Sequence, residues 1–215
     1  MTKYRVGNSG TKIEIKDDWL VLDIGSGHNP HPRANVLADR YLEENIDRSG
    51  KPIRVDRKRP FIICDAQYLP FKSKVFDYVI ASHIAEHVEN PEEFCKELMR
   101  IGRMGYIETP SKFGELLLTE PFHRWYVYAK GSVLVFEKKK NDKPLSESFY
   151  KIFYFDINRT GHKTLTTSNI ILHFVLKRLA HILRRLWVIM RSITYTRFEW
   201  EDSFKFTILG EIKND

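Results

Sequence analysis

Cysteine is scarce: Cys64 and Cys95 are the only two thiols in 215 residues, and they stand in no metal-ligand spacing. That excludes a disulfide-stapled scaffold and fits two buried thiols in a reducing compartment. The opening stretch MTKYRVGNSGTKIEIKDD has no apolar core, so we expect no secretory leader and a cytoplasmic location. No internal repeat or low-complexity tract is present, which excludes a solenoid. Acid is in deficit, with 28 Asp and Glu against 35 Lys and Arg, which permits an anionic partner such as RNA, an acidic lipid surface or a phosphorylated metabolite. The length suits one α/β domain rather than two. We read residues 1–215 as a single domain, with a core over about 17–138 and a C-terminal extension over about 139–215.

What is present is a rhythm of short β-type runs: WLVLDI (19–24), NVLAD (35–39), FIICD (61–65), DYVIAS (77–82) and GYIET (105–109). Helical or loop material separates them, as in a doubly wound, mostly parallel sheet. The clearest helix is NPEEFCKELMRIGR: Asn90 caps, Pro91 suits the first turn, Glu93 completes a capping box, and Phe94, Leu98 and Ile101 keep helical spacing. The first crossover, residues 25–35, holds Pro30 and Pro32 and is short for a helix, so we expect a shortened helix or irregular chain. Beyond Glu120, FHRWYVYAKGSVLVFEKK predicts two strands turning near Lys130 and Gly131, the second able to extend the sheet in antiparallel sense. A polar link, KKKNDKPLSES, leads to a long helix over 166–192 and a final strand, RFEWEDSFKFTIL.

VLDIGSGHNP (21–30) sets the chemistry, because Asp23 stands two residues before the first glycine. A dinucleotide would place its pyrophosphate at such a turn, where a carboxylate repels it. S-adenosylmethionine brings an ammonium and a sulfonium instead, which an acid attracts. Asp39, ending the second strand, can accept both hydroxyls of a ribose. Asp65, ending the third, can accept from an adenine amino group while the N–H of Ala66 meets a ring nitrogen. All these positions lie at strand carboxyl ends, where open α/β sheets bind ligands.

VLDIGSG, the acid of VLADRY, CDAQYLPF, FDYVIASHIAEHVENP and YIETPS together resemble class I S-adenosylmethionine-dependent methyltransferases, in their small-molecule branch, over residues 19–110. The resemblance implies a Rossmann-like seven-stranded sheet with one antiparallel strand, followed here by a C-terminal helix and strand. It implies that Asp23, Gly25 and Gly27 line the methionine end, Asp39 the ribose, and Asp65 and Ala66 the adenine, with Ser82 and His83 as the floor near the methyl group. The family's third glycine is Asn29 in this chain, followed by Pro30, so the turn is altered.

His83 and His123 are the candidate general bases, since imidazole titrates near neutrality. Glu86 and His87 look architectural. The outline of His83, Glu86, His87 and His123 is similar to the metal set of some small-RNA 3′-end 2′-O-methyltransferases, but an acid stands first there where His83 stands here, so no metal is assigned. In HRWYVY, alternation sends Trp125 to the core, while Arg124 could hold an anionic group of the acceptor. Along 166–192, Lys177, Arg178, Arg184 and Arg185 interrupt the apolar residues, which speaks against a membrane span and leaves burial, dimerisation or docking on a membrane surface. The expectation is methyl transfer to a small-molecule, lipid or glycan acceptor. An RNA methyltransferase and a non-catalytic scaffold are the alternatives.

Overall fold

The structure, a computed structural model, describes residues 2–44, 50–140, 147–155 and 168–210. The chain opens with a hairpin, β1 (Thr2–Val6) and β2 (Thr11–Ile15), paired antiparallel. Then come β3 (Val21–Ile24), β4 (Val36–Asp39), β5 (Phe61–Ile63), β6 (Phe76–Ser82), α1 (Pro91–Ile101), β7 (Gly102–Pro110) and α2 (Lys112–Leu117). The second half holds β8 (Trp125–Lys130), β9 (Val133–Lys138), α3 (Glu147–Phe153), α4 (Ile170–Ile189), α5 (Arg191–Thr194), β10 (Tyr195–Glu201) and β11 (Lys205–Leu209).

The main sheet has the order β10-β7-β6-β3-β4-β5 and is parallel except for β10. Alternation sends Val21, Leu37, Tyr78, Ile80 and Tyr106 to one face and Leu22, Ala38, Val79, Ala81 and Ile107 to the other. The β1–β2 hairpin covers the first face through Val6, Ile13 and Ile15, and Trp19 stacks on Tyr78. On the second face lie α1, through Phe94, Leu98 and Ile101, and a small sheet of order β11-β9-β8. Each of these fully buried large side chains is worth about 1.5–3 kcal/mol against exposure.

The α/β architecture and the largely parallel sheet match the sequence reading, and residues 25–35 form an irregular crossover, as Pro30 and Pro32 require. The helices are fewer than in a fully wound fold. Among the described residues only the β6–β7 crossover carries one, and the N-terminal hairpin takes the place of helices on the first face.

Five details differ from expectation. The main sheet has six strands among the described residues, not seven, because β8 and β9 form their own sheet with β11. The antiparallel edge beside β7 is β10 rather than the second strand of the hairpin. Glycine explains that choice: a Cβ at Gly105 would lie 2.7 Å from Trp200 Cζ2, so β7 is bare where the β10 tryptophan packs. RFEWEDSFKFTIL is two strands, broken at Asp202 with φ +55°, and β11 runs parallel to β9. The capping box is half made: Asn90 accepts from the N–H groups of Glu92 and Glu93, while its own N–H donates to Gln67 Oε1 at 2.6 Å. Of the long helix expected over 166–192, α4 covers Ile170–Ile189, residues 166 and 167 lie outside the described residues, and Arg191–Thr194 makes a separate turn. Most of the polar link, 141–146, also lies outside them.

Candidate active site

Two adjoining cavities open at the carboxyl ends of β3, β4 and β6. The larger, about 790 Å³, is lined by Asp23, Gly27, Ser82 and His123 among others. The smaller, about 120 Å³, is lined by Asp39, Asp65 and Ala66, with Arg40 and Tyr41 as its outer wall. Gly25, His83 and His87 border both, so the two form one trough. All the residues singled out in the sequence for a cofactor therefore meet in one place.

Gly25 and Gly27 both adopt left-handed backbone, φ +64° and +52°, which only glycine takes without strain. A Cβ at Gly25 would also lie 2.6 Å from side-chain carbons of Ile84. The turn folds back on β4: the N–H groups of Gly25 and Ser26 donate to Ala38 O at 2.7 and 3.1 Å. Asp39 completes it, accepting from the N–H of Gly27 at 2.9 Å and of Tyr41 at 3.3 Å. Asp39 thus stabilises the turn as well as facing the smaller cavity. Asp65 accepts from the N–H and side-chain amide of Gln67, both at 2.9 Å, and pairs with Arg40 at 3.3 Å.

Asp23 is buried, and its Oδ2 accepts from the N–H of His31 at 2.7 Å. Burial pushes its carboxyl up to about 7, the nearby Asp39 adds to the rise, and the His31 hydrogen bond and Arg59 oppose it. His31 itself is held down to about 4 by burial. As a neutral ring it donates from Nε2 to Arg5 O at 3.2 Å and accepts at Nδ1 from the N–H of Arg33 at 3.3 Å, tying the altered turn to the hairpin.

His83 is also left-handed, φ +58°, and its ring sits between two buried carboxylates. Nδ1 lies 3.2 Å from Glu86 Oε1, and Nε2 lies 3.4 Å from Glu108 Oε1 and 2.9 Å from the Asn8 amide. Burial alone would lower its pKa, but Glu108 and Glu86 outweigh it and lift the ring to about 10. An imidazolium at neutral pH has no lone pair for a proton and requires the Asn8 amide to turn its oxygen to Nε2, so this arrangement gives His83 a positioning part. Glu108, which sequence reasoning missed, accepts from Ser9 Oγ at 2.5 Å, Tyr106 OH at 2.6 Å and the N–H groups of Asn8 and Ser9. No local pattern links it to a loop about a hundred residues earlier.

His123 differs. It is buried, it lines the larger cavity, and its Nδ1 lies 2.6 Å from Glu115 Oε2. The Glu115 carboxylate fixes Nδ1 as the donor and leaves Nε2 with its lone pair, the arrangement of a general base oriented by an acid. Lys139 holds Glu115 in turn through an ion pair and donates to Glu120 O at 2.6 Å. Glu115 and Lys139 carry no motif, and the sequence did not single them out. Ser82 ends β6 at the cavity wall. Trp125 is core, donating from Nε1 to Val88 O at 2.7 Å, and Arg124 is exposed and pairs with Glu89 at 3.4 Å, so it does not line the trough.

Glu86, His87 and His123 bring one donor atom each within 4.8 Å of one another. Glu86 Oε2 is buried without a hydrogen-bond partner, and burial pushes the His87 ring down to about 4, neutral as a ligand must be. These three side chains could hold a divalent cation with a small contraction, since such donors lie about 2.0–2.2 Å from zinc.

A family described as a methyltransferase domain matches residues 22–106, which span β3 to the middle of β7. An uncharacterized methyltransferase of Mycobacterium leprae (strain TN) is 27% identical over 118 residues, covering 47% of this chain and 44% of the relative. The chain thus spans about half the length of the curated relatives it matches. Among solved structures, a S-adenosylmethionine-dependent methyltransferase of Thermotoga maritima is 19% identical, with TM-score 0.35 and coverage of 45% of this chain and 46% of the other. One from Methanosarcina mazei is 20% identical, with TM-score 0.34 and coverage of 46% and 55%.

Proposed function

We propose that this chain, whose residues 22–106 match a family described as a methyltransferase domain, transfers a methyl group from S-adenosylmethionine to a small-molecule, lipid or glycan acceptor. The observation that carries the reading is the set of three acids at consecutive strand ends, Asp23, Asp39 and Asp65, around a left-handed glycine turn beside a cavity of about 790 Å³. A buried carboxylate at the turn suits an ammonium and repels a phosphate.

Asp23 would face the amino end of the cofactor, Asp39 the ribose hydroxyls, and Asp65 with the N–H of Ala66 the adenine. A nucleoside in the smaller cavity would require its exposed wall residue Arg40 to swing from Asp65. The cofactor supplies an electrophilic methyl carbon on a positive sulfonium. The chain's own part is alignment and proton handling. The cavity walls hold the acceptor in line with that carbon, and proximity of this kind contributes up to about 7–11 kcal/mol of barrier lowering. His123 Nε2 takes the acceptor's proton, and the adjacent Glu115 carboxylate stabilises the imidazolium that forms. His83, already charged, keeps Glu86 and Glu108 fixed.

The test is transfer of labelled methyl from S-adenosylmethionine into water-soluble and lipid fractions of a cell extract. The reading expects a labelled product that His123→Asn reduces. Absence of product in every fraction from a protein that still binds the cofactor would favour the scaffold alternative.

A further inference from the structure

We propose that the outward face of α4 docks on an anionic lipid bilayer, so that the acceptor enters the cavity as a lipid or lipid-anchored molecule. This rests on the methyltransferase reading above and names the source of its substrate.

One side of α4 is committed to the protein. Ala180 is buried, and Leu183 and Trp187 pack with Leu118, Phe153 and Tyr154. Trp187 Nε1 donates to Tyr195 OH at 3.1 Å, and Arg184 Nη1 donates to Phe153 O at 3.0 Å. These contacts fix the rotation of the helix. An ordinary surface helix would then turn polar residues to water. This one turns large apolar residues to water among its exposed cations: Ile171, Val175, Ile182 and Ile189 lie on one outward stripe at about 100° per residue, and they are 77%, 57%, 47% and 76% exposed. Ile170 and Phe174 extend the apolar surface at the N-terminal end, 72% and 66% exposed.

Charge selects the occupant. Arg178 and Arg185 alternate with the apolar residues along the stripe, with Lys177 further round, and α4 contains no Asp or Glu. A second copy of the helix would set cation against cation with no acid on either to pair them. A nucleic acid would neutralise the cations and leave the isoleucines in water. An anionic bilayer satisfies both, taking the apolar stripe to the headgroup boundary and the cations to phosphate level. Among the described residues no helix is long and apolar enough to cross a membrane, which fits a helix lying in the surface. The inner side of the same helix carries Arg184 and Trp187 to the wall of the larger cavity, beside Phe153 and Tyr154. The cavity wall is therefore built from the element that would touch lipid.

The test is flotation of the full chain with phosphatidylcholine vesicles, with and without phosphatidylserine at roughly a third of the lipid, alongside S-adenosylhomocysteine titration and sedimentation of the same samples. The proposal expects binding tighter by on the order of tenfold or more to the anionic vesicles, weakened by salt, and abolished by the pair Ile171→Asp and Ile189→Asp while S-adenosylhomocysteine affinity and solution mass stay unchanged. No flotation by a protein that binds S-adenosylhomocysteine overturns it. So does a dimer that the same pair of substitutions dissociates, since the stripe would then be a subunit interface. Loss of S-adenosylhomocysteine binding in the unsubstituted protein would instead strike the underlying methyltransferase reading.

Discussion

His123 Nδ1 lies 2.6 Å from Glu115 Oε2, and Glu115 is held on its other oxygen by Lys139. All three side chains are almost fully buried. The pair orients the His123 imidazole at the larger cavity through Nδ1 and leaves Nε2 free of the carboxylate. His123→Asn is expected to lower kcat by about 10²–10⁴, with S-adenosylhomocysteine affinity near that of the unsubstituted protein, since His123 lies outside the smaller cavity, which the proposal assigns to adenosine. Steady-state kinetics beside calorimetry separates the two effects.

Glu115→Gln removes the charge that Lys139 pairs with and leaves a buried ammonium uncompensated. We expect a loss of about 3–5 kcal/mol of stability, read by denaturant unfolding. Lys139→Met in the same background should recover part of it.

Asp23 makes cofactor binding and stability respond to pH in opposite directions. Its folded pKa, about 7, stands above its ordinary value of 3.8. The folded state therefore keeps a proton that the unfolded chain has lost, and the contribution of Asp23 to stability falls as pH rises from near 4 to near 7. Asp23→Asn should flatten that slope and raise stability at pH 8 by roughly 1–3 kcal/mol. Binding of a cationic ligand should strengthen as pH passes 7 in the unsubstituted protein and lose that dependence in the variant.

For His83 the slope has the same sign but lies in a higher pH window. Its folded pKa is raised from 6.5 to about 10, so its stabilisation is full below the unfolded value and is lost as pH climbs toward 10. Its ring resonances should show no titration between pH 6 and 8. Glu108→Gln, which removes one of the two facing carboxylates, should move the midpoint downward.

Strands β3 to β7 and helix α1 were legible because each keeps its period: Val21 and Leu22 alternate between two cores, and Phe94, Leu98 and Ile101 line one helix face. The acids at 23, 39 and 65 were legible because a strand end followed by a carboxylate is a local pattern. The hairpin covering the first face was not, since its apolar residues are few and its opening was read as polar chain. Nor was the Glu108 cluster or the Glu115–Lys139 pair, which are contacts between distant segments. The break at Asp202 depends on a backbone angle that alternation does not mark. The sequence also assigned His83 and His123 the same candidate role, and only their carboxylate neighbours separate them.

The most direct measurement is calorimetric titration of the purified chain with S-adenosylhomocysteine, with NAD as control and Asp39→Asn in parallel. The account predicts saturable binding of S-adenosylhomocysteine, none of NAD, and at least about tenfold weaker binding in Asp39→Asn, where a charged acceptor for the ribose is replaced. A folded protein that binds no S-adenosylhomocysteine, or binds NAD instead, would contradict it.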